Sequence, residues 1–179
     1  MKMKKSNILK FVVTCLVLTL FIVGCSNNST NSNETPDGID SSKYSTKGLT
    51  EHNCYRDTDA GDDTKVDIQI KLYSDDDGYL KVMKTKETVT SKNEDILKEY
   101  KEAYKKVYSA YKDVDYYENV VEDTTGKVTS TTYINYGKID MDKIIEIEGV
   151  ENNVKMTDGK IKLSDWKTFA KKYGTTCKN

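Results

Sequence analysis

The sequence predicts an α+β fold: a two-layer sandwich built on an antiparallel sheet of two β-hairpins. A long helix lies between the hairpins in sequence, and a C-terminal helix packs on one face. Three observations carry this. Val66, Ile68, Ile70 and Leu72 alternate with Lys65, Asp67, Gln69 and Lys71, which puts an apolar row on one side of a strand. Ile96, Tyr100, Ala103, Tyr104, Val107, Tyr111 and Val114 recur at steps of three and four, the stripe of an amphipathic helix. Two runs rich in Val, Thr, Tyr and Ile, 115–122 and 128–136, then flank Asp123-Thr-Thr-Gly126, a second hairpin. Adjacent hairpins favour an antiparallel sheet with its helices collected on one face.

At the N-terminus, Lys2, Lys4, Lys5 and Lys10 precede an apolar run, Phe11 to Val23, broken only by Thr14 and Thr19. At helical rise the run covers roughly 20 Å, short of the about 30 Å of a hydrocarbon core. A cationic start, a short apolar core and a small residue after it mark an export signal. Ile22-Val23-Gly24-Cys25 resembles the lipobox of bacterial lipoproteins, with Ile22 where that pattern usually has Leu. The resemblance implies a diacylglyceryl group on the Cys25 thiol, a cut after Gly24, and Cys25 as the first mature residue. Two acyl chains, at about 0.8 kcal/mol per buried CH₂, hold a protein stably where one does not. The alternatives are a plain secretory signal or an uncleaved anchor, with Cys25 incidental.

Residues 1–24 are thus read as a signal peptide, 25–48 as a lipid-anchored disordered tether, and 49–179 as a single α+β domain. The expected location is the extracytoplasmic face of the cell membrane. Ser26 to Gly48 is rich in Ser, Asn and Thr and holds the only proline, Pro36; it lacks the apolar period needed to offset ordering entropy.

Without residues 1–24 the chain keeps 24 basic residues against 29 acidic ones, a net charge near −5. That surface argues against nucleic-acid binding, which depends on neutralising phosphates with cations. Cys15 leaves with the signal and Cys25 is the lipidation site, so Cys54 and Cys177 remain. In a compartment outside the cytosol this even pair favours a disulfide closing a loop of more than a hundred residues; two free thiols are the alternative.

Asp57-Thr-Asp-Ala-Gly-Asp-Asp63 and Ser74-Asp-Asp-Asp-Gly78 invite a calcium reading. An EF-hand loop needs Gly at its sixth position and Glu at its twelfth, and neither stretch supplies them, so both read as turns. Cys54 stands just before the first expected strand. Asp77-Gly78 turns the first hairpin into a partner strand, 79–90. Ser91-Lys-Asn-Glu94 has the form of a capping box for a helix of about twenty residues. Its tyrosine stripe reads as core with hydroxyls at the rim. After the second hairpin, Asp140 caps a short helix through Ile144, Ile145 and Ile147, ending near Gly149. Val154 and Met156 alternate before a turn at Asp158-Gly159. Ser164 caps a last helix whose Trp166, Phe169, Ala170 and Tyr173 share one face, and Cys177 follows where it can reach back to Cys54.

Tyr136-Gly-Lys-Ile-Asp-Met-Asp-Lys-Ile144, Val154-Lys-Met156 and the terminal helix from Ser164 to Tyr173, behind a lipobox and a polar leader, resemble the YehR-like bacterial lipoproteins, small surface domains of unknown function. The resemblance covers 65–173. It implies the fold and the anchorage, and it brings no catalytic residue.

No constellation in the chain names a reaction, a metal or a cofactor. The expectation is a membrane-anchored module that binds a ligand or an envelope partner, with the membrane reached through diacylglyceryl-Cys25. One alternative is a cell-envelope enzyme using paired carboxylates, since the single His52 sits at the edge of the expected tether. The other is a lipoprotein that binds calcium weakly through its acidic turns.

Overall fold

The computed structural model describes residues 39–149 and 154–178. The signal segment and Cys25 therefore lie outside the described residues.

The chain opens a meander of three antiparallel strands: β1 (Thr50–Gly61), β2 (Thr64–Ser74) and β3 (Leu80–Thr90). Helix α1 (Glu94–Tyr108) follows and tightens into a 3₁₀ turn at Ser109–Tyr111; β4 (Tyr117–Thr124) and β5 (Lys127–Asn135) form the next hairpin. Then come α2 (Met141–Glu148), the two-residue strands β6 (Met156–Thr157) and β7 (Lys160–Ile161), α3 (Leu163–Lys171) and β8 (Thr176–Cys177). Six strands make one sheet in the order β4-β5-β3-β2-β1-β8, every pairing antiparallel, while β6 and β7 pair only with each other.

The result is an α+β fold, with corrections. Strand β1 was not expected. Its buried positions are Cys54, Arg56 and Thr58, so the inward row carries no apolar period to read. Cys54 lies inside a strand, not before one. Asp57 and Asp59, expected in a turn, are exposed strand residues. The turn itself is Asp62-Asp63, with φ of 52° and 58°; two positive φ values make the primed turn that matches strand twist, and aspartate tolerates it.

The cap of α1 is Asn93, whose side chain accepts from the backbone N–H of Asp95 and Ile96. Ser91, expected there, instead accepts from the Asn93 N–H at 3.1 Å and from the Thr64 hydroxyl at 2.9 Å. The helix stops at Tyr108, short of the expected length. At α3 the cap position is Lys162 with no side-chain cap bond, and Ser164 lies inside the helix. For α2 the expected cap holds: Asp140 accepts from Asp142 and Lys143 N–H, and Gly149 ends it at φ 84°.

Val66, Ile68, Ile70 and Leu72 share one cluster with Leu97, Tyr100, Ala103 and Tyr104 of α1 and Trp166 and Ala170 of α3. This is the predicted apolar row meeting the predicted stripe. Tyr111, Val114, Ile134, Ile139 and Ile144 form a second cluster beside it.

Tyr73, Val82 and Tyr133, of opposite parity, pack with Tyr44. Tyr44 ends a 3₁₀ turn, Ser41–Tyr44, capped by Asp40, and its ring centroid lies 5.4 Å from that of Tyr133. Asn135 Nδ2 donates to the Lys43 carbonyl at 2.7 Å, Lys43 Nζ meets Glu118 at 2.9 Å, and the Asp40 N–H donates to Glu118 at 2.9 Å. The stretch expected as tether up to residue 48 is thus docked on the sheet from Asp40 onward. Among the described residues no helix is long and apolar enough to cross a membrane.

Candidate functional site

Inward positions at the centre of the sheet carry short or polar side chains where an apolar row would continue. Ile70 of β2 pairs with Thr85 of β3, and Thr85 with Thr132 of β5; Ile68 pairs with Glu87, and Glu87 with Ser130. Threonine and serine beneath helices leave space. A cavity of about 90 Å³ lies there, floored by Ile68, Ile70, Thr85, Glu87 and Thr132 and walled by Tyr108, Tyr117, Tyr136, Met141, Ile144, Glu148 and Trp166. Tyr136, Met141 and Glu148 are partly exposed, as are Thr85, Tyr108 and Tyr117, while Ile68, Ile144 and Trp166 are buried.

The floor is hydrogen-bonded. The Tyr108 hydroxyl accepts from Ser130 and Thr132, each at 3.1 Å, and Asn119 Nδ2 donates to the same two hydroxyls at 3.0 and 2.9 Å. Glu87, 3% exposed, accepts from the Tyr104 hydroxyl at 2.7 Å.

Glu148 closes α2 four residues after Ile144, on the same face. Tyr111 donates to its Oε1 at 2.9 Å. Burial disfavours the carboxylate and raises its pKa to about 7, against the opposing pull of the Tyr111 bond. The Tyr111 ring stacks on Tyr117 at 4.3 Å and 10°. Burial first, and then the charge of Glu148 among its neighbours, pushes the hydroxyls of Tyr111, Tyr117 and Tyr136 well up.

Trp166 is 1% exposed, and its Nε1–H has no hydrogen-bond partner among the described residues. An unsatisfied buried donor costs about 1–3 kcal/mol.

Of the residues singled out in the sequence, Cys25 falls outside the described part. Cys54 and Cys177 face each other across β1 and β8 with sulfurs 2.02 Å apart and Cα atoms 3.9 Å apart. His52, expected at the edge of a mobile tether, is a half-buried residue of β1 whose Nε2 lies 3.1 Å from Ser74 Oγ; burial, then Lys167, holds its pKa below the usual imidazole value. The acidic stretches spend their carboxylates on local geometry. Asp59 accepts from the Gly61 N–H at 2.9 Å, and Asp75 accepts from the Tyr79 N–H at 2.8 Å and meets Lys81 at 3.0 Å. Among the described residues no group of three or more His, Cys, Asp or Glu is placed to hold a metal ion.

Sequence reasoning missed Glu87, Glu148 and the cavity role of Trp166. For Glu148 a signal existed: Met141, Ile144 and Glu148 are spaced three and four apart, which puts the acid on the apolar stripe.

No protein-family model matches the chain, and no curated protein does. Among solved structures the chain is similar to the NMR structure of the E. coli YehR protein. The TM-score is 0.52 at 14% identity, over 73% of this chain and 92% of that one. It is also similar to an NMR structure of a protein from Streptococcus pneumoniae TIGR4, with TM-score 0.47 at 12% identity, over 88% of this chain and 100% of that one. At such identities the likeness to YehR is one of architecture, and in its fold this chain is YehR-like.

Proposed function

We propose that this chain is an envelope lipoprotein whose domain binds a small ligand in the cavity between the sheet and the helices. The observation that carries the reading is the cavity itself: about 90 Å³ with carboxyl, hydroxyl and indole groups in an otherwise apolar wall. Apolar surround with a few placed polar groups is the usual make-up of a ligand site. The finer layout, with all three helices in one layer over the sheet, belongs to this proposal, because it leaves the helical side to cover the cavity.

The anchorage rests on the lipobox-like Ile22-Val23-Gly24-Cys25. Mass spectrometry of the mature N-terminus tests it: a diacylglyceryl group on Cys25 is expected, and an unmodified Cys25 or a cut elsewhere defeats it.

Ligand binding is tested by a thermal-shift screen of small polar molecules. At a hundredfold excess over Kd a ligand adds about 2.7 kcal/mol and raises Tm by several degrees. Thr85→Leu, which fills the cavity from its floor, keeps the fold and abolishes the shift. A screen silent for the wild-type chain, or a shift untouched by Thr85→Leu, rejects the cavity as the site.

The carboxylate-enzyme reading gains less. Glu87 and Glu148 do line one cavity, but about 90 Å³ is far below the roughly 300–1,000 Å³ of pockets that take drug-sized ligands, and a saccharide chain does not enter it.

A further inference from the structure

Charge is spread unevenly along the described chain. Residues 154–178 hold seven lysines and two aspartates, a net charge of +5. Residues 39–149 hold 17 basic and 24 acidic side chains, a net charge of −7. A surface helix that only faces water commonly interleaves the two signs, as α1 does with four lysines and four acids. The stretch from Lys155 to Lys178 does not. Among the described residues none of its seven lysines is in an ion pair.

The fold carries this charge along α3. Lys160 and Lys162 both stand over the half-buried Tyr79, with Nζ 5.4 and 5.7 Å from the ring centroid. The Leu163 N–H donates to the Gly78 carbonyl at 3.0 Å, so α3 starts at the turn between β2 and β3. Lys171 and Lys172 are exposed at its far end. Lys167 lies between, and after burial it is the next cause holding down the pKa of His52 on β1. The acids of the stretch are Asp158 and Asp165. The adjoining turn adds the exposed Asp76 and Asp77, while Asp75 meets Lys81 at 3.0 Å; the lysines remain in excess. Strand β1 begins at Thr50 opposite Ser74, the last residue of β2. The chain arriving from Leu49 therefore enters the domain at the same end of the sheet where α3 begins.

We propose that α3 and the two short strands before it form a docking face for anionic lipid headgroups, so that the domain lies on the bilayer by this face. The inference rests on the anchorage proposed above and adds an orientation to it. Each lysine held near an anionic bilayer strengthens the attraction about fivefold, and the attraction fades beyond a Debye length. A tyrosine ring flanked by lysines suits the headgroup level, where one end of a side chain is apolar and the other wet. An anionic polymer would feel the same charges; the entry of the chain beside them favours the surface to which Cys25 would be joined.

The test reconstitutes the full chain into vesicles of phosphatidylcholine, alone or with phosphatidylglycerol at about one part in three. Flotation reports attachment, and a membrane-impermeant amine-acetylating reagent, read by mass spectrometry, reports the exposure of each lysine. Lys160, Lys162, Lys171 and Lys172 should be labelled about fivefold more slowly in the anionic vesicles, while Lys98 and Lys105 of α1 should be labelled at equal rates in both. Raising salt from about 0.05 M to about 0.5 M should abolish the protection. The double variant Lys171→Glu, Lys172→Glu should lose it at Lys160 and Lys162, and Lys105→Glu, Lys106→Glu should not. Should the first variant fail to fold, the salt dependence of the wild-type chain decides. A chain that floats with both vesicles and is labelled alike in them overturns the docking and leaves the anchor standing. One that floats only with the anionic vesicles keeps the docking and rejects the anchor, and one that floats with neither removes both. If soluble polyphosphate protects the same lysines as well as the anionic vesicles do, the partner is a polymer and the proposal is overturned.

Discussion

At Glu148 desolvation pulls against a tyrosine hydrogen bond, and desolvation wins. The native pKa of about 7 stands above the ordinary value of 4.5. Between those values the native state holds a proton that the unfolded chain has lost, so stability falls as pH rises through the window and stays lower above it. The span sets an upper figure of about 3 kcal/mol. Urea unfolding at pH 5 and pH 8 should show the wild-type chain weaker at pH 8, with Glu148→Gln lacking most of that difference; an unchanged slope in the variant would place the titration elsewhere. Tyr44 makes a second residue-scale case. It is 2% exposed and its hydroxyl has no partner among the described residues. Tyr44→Phe removes an unsatisfied buried group and should hold or gain about 1 kcal/mol, whereas Tyr44→Ala should lose about 3 kcal/mol. Both are measurable by chemical denaturation, with hydrogen exchange at residues 39–49 reporting release of the docked segment in the alanine variant.

Among the elements, β2 and α1 were legible because their burial is apolar and periodic: Val66 to Leu72 at every second residue, Tyr100 to Tyr111 at helical steps. Strand β1 was not, because its inward side chains are Cys54, Arg56 and Thr58, and a polar inward row has the same pattern as a loop. Its outward Asp57 and Asp59 deepened the disguise. The caps split for a related reason. Asp140 is the one polar residue placed to cap α2, while Ser91 and Asn93 stand two apart before α1 and either could serve; the Thr64 hydroxyl engages Ser91 and leaves Asn93 to the helix. Strand β8 has only two residues, and the Cys54–Cys177 link joins it to β1 beside the Lys178 N–H bond to the Asn53 carbonyl at 2.8 Å. With the cysteines 123 positions apart in sequence, loop-closure entropy gives about 5 kcal/mol. The double variant Cys54→Ser, Cys177→Ser should lose stability on that order in urea, and reductant should have no further effect on it; equal midpoints for the two proteins would show that the link contributes nothing.

Across the whole molecule the α+β class followed from elements, but the sheet order did not. Pairing of β3 with β5 joins the two hairpins across an intervening helix, and no local spacing encodes that contact. The cavity was invisible for a similar reason: it exists where Thr85 and Glu87 of one strand meet Thr132 of another, and each looks ordinary in its own strand. The proposed anchor at Cys25 stands apart: it is an expectation from the sequence that falls outside the described residues.

The docked segment from Asp40 to Leu49 changes how far an acylated Cys25 would let the domain travel. The part of the chain between Cys25 and Ile39 cannot exceed about 50 Å at full stretch, whatever its conformation. A globule on so brief a mooring cannot roam the envelope; it would serve molecules that pass close to the lipid surface, and its own sheet would be the mast step.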